Sequence, residues 1–464
     1  MRVVSVRSLR HHAHWMRRTA VTRSRLELGA GLRAFVPAFC CLIIFFDGYD
    51  VTVFGATVPA LLKYRSWGLG EADVGLIASL GLVGLLLGAL VGGVATDLLG
   101  RKRMLILCTT WFSACMLACA AAPTSGVFGA LRFLGGLGLG GVMPVCIALA
   151  VEFAPPSRRY LFNAVGNAGF AVGAIASAVL GMAVMPEWGF RPMYAVAGLP
   201  LLLMPIAAVT LPESVDFLVA KGRLREAEEV ARRFGLPVPA PRGSDYQLEA
   251  ESRRPAGPRS LVRRPLFANL MIFGAVGIAV QVFIYGLHTW LPQIMVLAGY
   301  GVTSSLAFLA TMSAGAVVGS VTMSLFADRL GPRPVLLAGL GVGVIALGVL
   351  SSAPPSLAVY AAVALAGVGG TGTAAIVNAF VGTWFPAPVR ASAVGSYFAI
   401  SRLGSVLGPL LLGWIIASGM PVRWTFYTLM APTALGVLLA LFLPRAHTGR
   451  PAGLAAGPRP TAQD

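Results

Sequence analysis

Apolar runs about 20 residues long recur from one end of the chain to the other, and they limit its fold more than any other feature. A helix of that length crosses the hydrocarbon core of a bilayer. Because lipid offers no partners to backbone polar groups, such runs predict an all-α membrane protein. We predict twelve transmembrane helices, at 34–60, 73–96, 104–122, 126–149, 162–185, 191–211, 267–291, 303–326, 334–352, 356–381, 392–417 and 424–444.

Composition supports this class and argues against others. Charged residues make up 12% of the chain, about half the share that soluble domains carry, and the mean hydropathy is +0.79. The net charge of +18 lies mostly between the apolar runs, which indicates membrane topology rather than nucleic-acid binding. The six cysteines show no metal-ligand spacing, and no nucleophile–base set stands out. We therefore expect no metal, no cofactor and no enzyme activity.

The distribution of Arg and Lys predicts the orientation. Alternate connections are basic, while those between them are short and nearly uncharged, so both termini are expected on the cytoplasmic side of a bacterial inner membrane. We expect a monomer that is embedded in the lipid bilayer. The predicted divisions are a basic tail (1–32), a six-helix bundle (33–211), a cytoplasmic linker (212–266), a second six-helix bundle (267–445) and a tail (446–464).

The two halves repeat each other in sequence. A shift of 231 residues superposes four landmarks, which are Asp97 on Asp328, Gly100 on Gly331, Arg159 on Arg390 and Gly173 on Gly404. Paired six-helix halves are typical of transporters that rock around a central site.

Several motifs carry a family resemblance. The connection GGVATDLLGRKR (92–103) and LPES (211–214) resemble signatures of the major facilitator superfamily. FFDGYD (45–50), RFLGGLGLGGVMP (132–144), EFAPPSRR (152–159) and the spacing from Arg390 to Arg402 are similar to the aromatic acid:proton symporter family. Two residues depart from the expected pattern. Leu98 stands where an Arg usually follows the loop Asp, and His288 stands where an uncharged polar or apolar residue is expected. The resemblance implies a secondary active transporter that imports small aromatic carboxylates, such as benzoate and hydroxybenzoates, by proton symport and alternating access.

Three charged residues within the predicted spans are candidates for proton coupling. Asp47 and Asp50 lie one turn apart on the first helix and share a face. A charge there costs about 2.5–3.5 kcal/mol to insert, and two close carboxylates favour protonation of one. The resemblance pairs Asp50 with Arg132 on the fourth helix. We expect Asp50 to carry the proton and Asp47 to tune it, the alternative being an ion pair that merely locks the two helices together.

Five further residues are candidates for substrate binding. Arg402 lies near the middle of the eleventh span without an acid in its own helix, so a substrate carboxylate could be its partner. Backbone carbonyls or Asp47 are the alternative partners. Tyr285 and His288 share a face of the seventh helix with Gln281, and Tyr49 could stack on an aromatic ring, although interfacial packing explains most such aromatics.

A cytoplasmic gate is the third expectation. Asp97 is expected to begin the loop before the third helix, with basic residues following, and an acid ends the fourth helix on the same side. Acids near helix N-termini that also pair with arginines would hold an inward gate shut. The candidate gate residues are Asp97, Arg101, Glu152, Asp328, Arg329 and Arg390. The alternative is that these charges only set topology.

Other functions on the same scaffold stay open. A porter of another organic acid or of a sugar would share the motifs, but a sugar porter favours amide and hydroxyl groups over deep arginines. A drug antiporter that binds cations would not place Arg402 centrally. A non-transporting membrane sensor would tend to carry a larger cytoplasmic segment than the linker and tail offer.

Overall fold

The computed structural model describes residues 6–154, 159–236 and 264–444, with side chains placed from residue 35 onward except at 94, 159–168, 264–265, 387–388 and 391. Within these ranges the chain is helical and contains no strand. The first six long helices are α1 (Val6–Lys63), α2 (Glu71–Leu99), α3 (Arg101–Ala121), α4 (Ser125–Phe153), α5 (Arg159–Trp188) and α6 (Arg191–Thr210). Two short helices follow, α7 (Val215–Ala220) and α8 (Leu224–Phe234).

Six more long helices complete the described fold. They are α9 (Arg264–Leu297), α10 (Val302–Leu330), α11 (Pro332–Ser351), α12 (Ser356–Trp384, with a π turn at Val368–Gly372), α13 (Ala387–Ala417) and α14 (Arg423–Ala440). Among the described residues, eleven helices are long and apolar enough to cross a membrane. The eighteen-residue α14 coincides with the last predicted span and packs on α9 and α11. The predicted twelve-helix, all-α membrane fold is confirmed.

The first helix extends well beyond its predicted bounds, and the predicted linker contains helices. The apolar part of α1 begins at Phe35, beside the predicted start, but the helix itself continues back to Val6 through the basic tail. That stretch is rich in Arg, Ala and Leu, which favour helix. In the predicted linker, α8 ends where Gly235 adopts φ 65, a typical left-handed C-cap. Residues 237–263 and 445–464 lie outside the described part.

The internal repeat has a counterpart in backbone geometry. Gly100 joins α2 to α3 with φ 95, and Gly331 joins α10 to α11 with φ 87, a conformation that side chains disfavour. Gly173 of α5 lies so close to α1 that a Cβ would stand 1.9 Å from the Phe45 carbonyl oxygen. A Cβ at Gly404 would stand 2.2 Å from a carbonyl of α9. The same offset therefore reproduces the same close contacts.

The two sets of six helices meet through α1 and α9, α2 and α13, and α5 and α10. We call the end of the bundle that contains Arg101 and Arg390 the basic end, and the other the opposite end. Toward the opposite end, Ser79 Oγ of α2 donates to the Val406 carbonyl oxygen of α13 at 2.8 Å. Near it, a Cβ at Gly75 would lie 3.2 Å from Gly413 Cα. The two halves are therefore in tight contact from about the middle of the helices to the opposite end.

Candidate functional site

A buried ion pair joins α1 to α4. Arg132 Nη1 donates to Asp50 Oδ1 at 2.8 Å, and the two residues are 7% and 4% exposed. The same nitrogen lies 3.4 Å from Met116 Sδ of α3. The two side chains that the sequence singled out on separate helices are therefore in direct contact.

Aromatic rings surround the guanidinium. Its carbon lies 5.4 Å from the centroid of the Phe54 ring and 6.0 Å from that of Tyr194. The Tyr194 hydroxyl is in turn 2.8 Å from Thr57 Oγ1. These rings cover one side of the pair, so removing Arg132 would leave ionised Asp50 as a buried charge without its partner, at a cost of about 3–5 kcal/mol.

Asp47 lies one turn closer to the basic end and is also buried, at 4% exposed. It lies three residues before Asp50, on the same face of α1. Among the described residues it forms no ion pair within 4.0 Å. Helix α1 therefore presents one paired acid and one unpaired acid to the interior.

A cavity lies beside the ion pair and is lined by both halves. On the first half Asp50 and Arg132 contribute its charged wall, and on the second half Tyr285 and Thr289 of α9 contribute hydroxyl groups. The remaining lining residues are Val51, Phe54, Ala78, Gly81, Leu82, Leu85, Gly136 and Leu139. In this state the cavity has a free volume of about 30 Å³, close to that of one water molecule, so it must widen to admit a small ligand. Its walls offer a cation, an acid, two hydroxyls and an aromatic face.

Arg402 reaches the cavity through a tyrosine. Its Nη1 donates to the Tyr285 hydroxyl oxygen at 2.9 Å, and the arginine is partly exposed. Arg402 itself is not among the residues that line the cavity. Because the hydroxyl oxygen accepts this bond, the Tyr285 proton is free to point at a ligand.

The other three predicted substrate residues lie elsewhere. The Tyr49 hydroxyl donates to the Met193 carbonyl oxygen at 3.1 Å, inside the first half. His288 Nδ1 lies 2.9 Å from the Ile284 carbonyl oxygen of its own helix. Gln281 is partly buried. None of the three lines the cavity. On α9, the cavity is lined by Tyr285 and Thr289 rather than by Gln281 or His288.

Two glutamates organise the basic end of the first half. Arg101 Nη1 pairs with Glu152 Oε2 at 2.5 Å, while Glu152 Oε1 accepts from the backbone nitrogens of Val215 and Asp216 in α7. Glu213 Oε1 accepts from the backbone nitrogen of Lys102 at 3.0 Å. Each acid therefore satisfies orphan donors at a helix N-terminus, which stabilises a negative charge there.

The remaining gate candidates are not brought together. Asp97 was predicted to begin a loop, but it does not. Helix α2 continues to Leu99, and the connection to α3 is Gly100. Asp97, Asp328 and Arg329 are exposed. Arg390 Nε donates to the Phe385 carbonyl oxygen at 3.2 Å. Within the ranges that the structure describes, these four form no ion pair.

Sequence reasoning missed three residues of these sites. Thr289 lies one turn beyond Tyr285, so the i, i+4 rule could have found it. Glu213 stands in the LPES motif, whose acid was available as a capping group. Gly81 carries no signal of its own, since its role depends on what approaches it from α4.

Comparison with known proteins agrees with this architecture. The Major Facilitator Superfamily model matches residues 40–322 and 305–463. The chain is 32% identical to the benzoate transport protein of Acinetobacter baylyi, over 87% of each chain, and 34% identical to the gentisate transporter of Corynebacterium glutamicum, over 86% of each. The Escherichia coli xylose transporter XylE, in a partially occluded inward open conformation, superposes with a TM-score of 0.72 at 17% identity, covering 90% of this chain and 99% of that one. This chain belongs to the major facilitator superfamily.

Proposed function

We propose that this membrane transporter imports small aromatic carboxylates together with protons. The observation that carries the proposal is the buried Asp50–Arg132 pair on the wall of a cavity between the two halves. Ionisable groups inside a membrane protein are rare and generally functional. An acid that can exchange its arginine partner for a proton has the chemistry that proton coupling requires.

The relatives and the cavity support the substrate class. The two relatives described above are named for benzoate and gentisate, both aromatic acids. Phe54 offers an apolar ring in the cavity, and Tyr285, backed by Arg402, offers a hydrogen bond. A small ring with one carboxylate matches this combination of an aromatic wall and positive charge.

The proposed cycle uses rigid-body motion of two bundles, 33–211 and 267–445. The basic end faces the cytoplasm, as do both termini, in accordance with the positive-inside rule. The tight contacts toward the opposite end then correspond to a state closed to the outside. In the outward state Arg101, Glu152 and Asp97 would work with Asp328, Arg329 and Arg390 to close the basic end.

Uptake of radiolabelled benzoate by cells that express the protein tests the proposal. We expect uptake that an imposed inward proton gradient drives and that a protonophore reduces to the level of cells without the protein. Labelled xylose serves as the comparison, because a sugar lacks the carboxylate. Uptake of xylose but not benzoate, or benzoate uptake that ignores the protonophore, would refute the proposal.

Arg402→Lys is expected to raise the apparent KM for benzoate about tenfold and to change kcat less. Lysine keeps the charge but loses the planar fork, so it cannot hold Tyr285 and attract a carboxylate in the same way. Initial uptake rates across a substrate series measure the effect. Arg423→Lys, at an exposed position at the start of α14, is the matched control. An unchanged KM in the Arg402 variant would remove this residue from the site.

A further inference from the structure

One edge of the Arg132 guanidinium has no partner. Nη1 is bonded to Asp50, but Nε, although buried, has no hydrogen-bond acceptor anywhere in the described part of the protein. Buried donors are nearly always satisfied, so an orphan in a charged group calls for an explanation. An acceptor group supplied by a bound ligand would satisfy it.

The free edge lies beside Gly81 of α2. A Cβ built on Gly81 would lie 3.7 Å from Arg132 Nη2 and 3.8 Å from Nε, at ordinary contact distance, so these two nitrogens adjoin a residue without a side chain. Gly81 and Arg132 both line the cavity. Helix α4 is held there by close packing, since a Cβ at Gly136 would stand 2.2 Å from the Gly81 carbonyl oxygen.

Nε and Nη2 are the two donors that a guanidinium presents side-on to a carboxylate. We propose that this free Nε–Nη2 edge of Arg132 binds the substrate carboxylate, which thereby lies between Arg132 and the Tyr285 hydroxyl. The proposal deepens the proposed function and rests on it. It makes Arg132 a substrate-binding residue as well as the partner of Asp50.

The charges of Arg132, Asp50 and the substrate explain how substrate binding is coupled to proton binding. One guanidinium can neutralise one carboxylate in this water-poor site, so the substrate anion and ionised Asp50 compete for it. Binding of the substrate therefore favours protonation of Asp50, and protonation of Asp50 favours binding of the substrate. The charged and titratable groups around the pair are Asp47, Tyr49, Cys119, Tyr194, Tyr285 and, beyond Asp47, Arg402.

Asp50→Asn mimics the protonated acid and provides the first test. We expect the wild-type protein to bind benzoate more weakly as pH rises, and Asp50→Asn to bind it with nearly the same affinity across that range. The double variant Asp50→Asn, Arg132→Gln should lose at least tenfold in affinity. Equal affinity of the single and double variants would overturn the proposal.

Gly81→Ala provides a test that leaves both charged residues in place. Its Cβ would meet Arg132 only at ordinary contact distance, so the fold tolerates it, but the added methyl lies beside the edge on which we place the carboxylate. We expect the KM for benzoate to rise about tenfold. The control is Gly93→Ala on the same helix, where a Cβ meets nothing within 4 Å. The same KM in both variants would count against the site.

A bare carboxylate separates this proposal from the substrate assignment. Formate should raise the thermal unfolding midpoint of Asp50→Asn by about 2 °C or more, and should not do so in the double variant. That result would support the anion site even if no aromatic acid were carried. A shift that chloride reproduces at equal concentration, or one that persists in the double variant, would refute carboxylate binding at Arg132.

Discussion

Asp50→Asn is expected to lower benzoate uptake driven by a proton gradient at least about 100-fold while preserving exchange of internal for external substrate. The amide cannot carry a proton, so net symport fails, whereas exchange needs only the loaded carrier to change its facing state. The Asn side chain fits the same space beside Arg132. Uptake and exchange of labelled benzoate in membrane vesicles measure the two activities separately.

The control for this variant is Asp73→Asn. Asp73 lies in the exposed first turn of α2, where its carboxylate accepts from the Gly70 backbone nitrogen, a bond that an amide oxygen can also accept. Near wild-type uptake is expected. Full gradient-driven uptake by Asp50→Asn would show that the pair with Arg132 only locks α1 to α4.

Gly55→Ala is expected to reduce uptake about tenfold or more by opening the contact between the halves. A Cβ at this position of α1 would stand 1.9 Å from the His288 carbonyl oxygen and 3.1 Å from Thr289 Cα, both of α9. Neither backbone can yield locally. Overpacking of this kind costs about 1–3 kcal/mol, which shifts the balance away from the state closed at the opposite end.

Accessibility distinguishes this effect from simple misfolding. Ser79, which bonds across the halves, is 4% exposed, so a cysteine there should react slowly with an impermeant maleimide. Adding Gly55→Ala should speed labelling of Ser79→Cys in intact cells, with the chain lacking Ser79→Cys as background. Gly341→Ala, where a Cβ meets nothing within 4 Å, is the control for uptake. Wild-type uptake together with slow labelling in the Gly55 variant would contradict the prediction.

The fold could be predicted because the surrounding lipid restricts what the chain can form. In a bilayer, long apolar runs must be helical, so each predicted span coincides with a helix, including α14. The sequence was less informative outside the apolar runs. The predicted linker contains the short helices α7 and α8, which are separated where Gly222 adopts φ 74, and α1 extends through the basic tail.

The site was predictable only in part. Burial cost marked Asp50 and Arg132 as charged residues inside spans, and the family resemblance paired them. The role of Tyr49 could not, because its hydroxyl bonds to Met193, which is distant in sequence. Likewise, spacing along α9 grouped Tyr285 with His288 and Gln281, whereas the packed helix presents Tyr285 with Thr289 to the cavity. A residue's face is known only once its neighbours are in place.

The amino-acid order alone determined the class of this protein: hydrophobic length imposed the helices, basic connections implied their direction, and a repeated offset divided them into two sets. Tertiary packing decided the chemistry of the interior. It paired Arg132 with Asp50 and left the Arg132 Nε without an acceptor beside Gly81, and it placed Tyr285 between Arg402 and the cavity. Partition into lipid acts on each segment separately, whereas hydrogen bonding inside the bundle depends on which side chains from different helices meet.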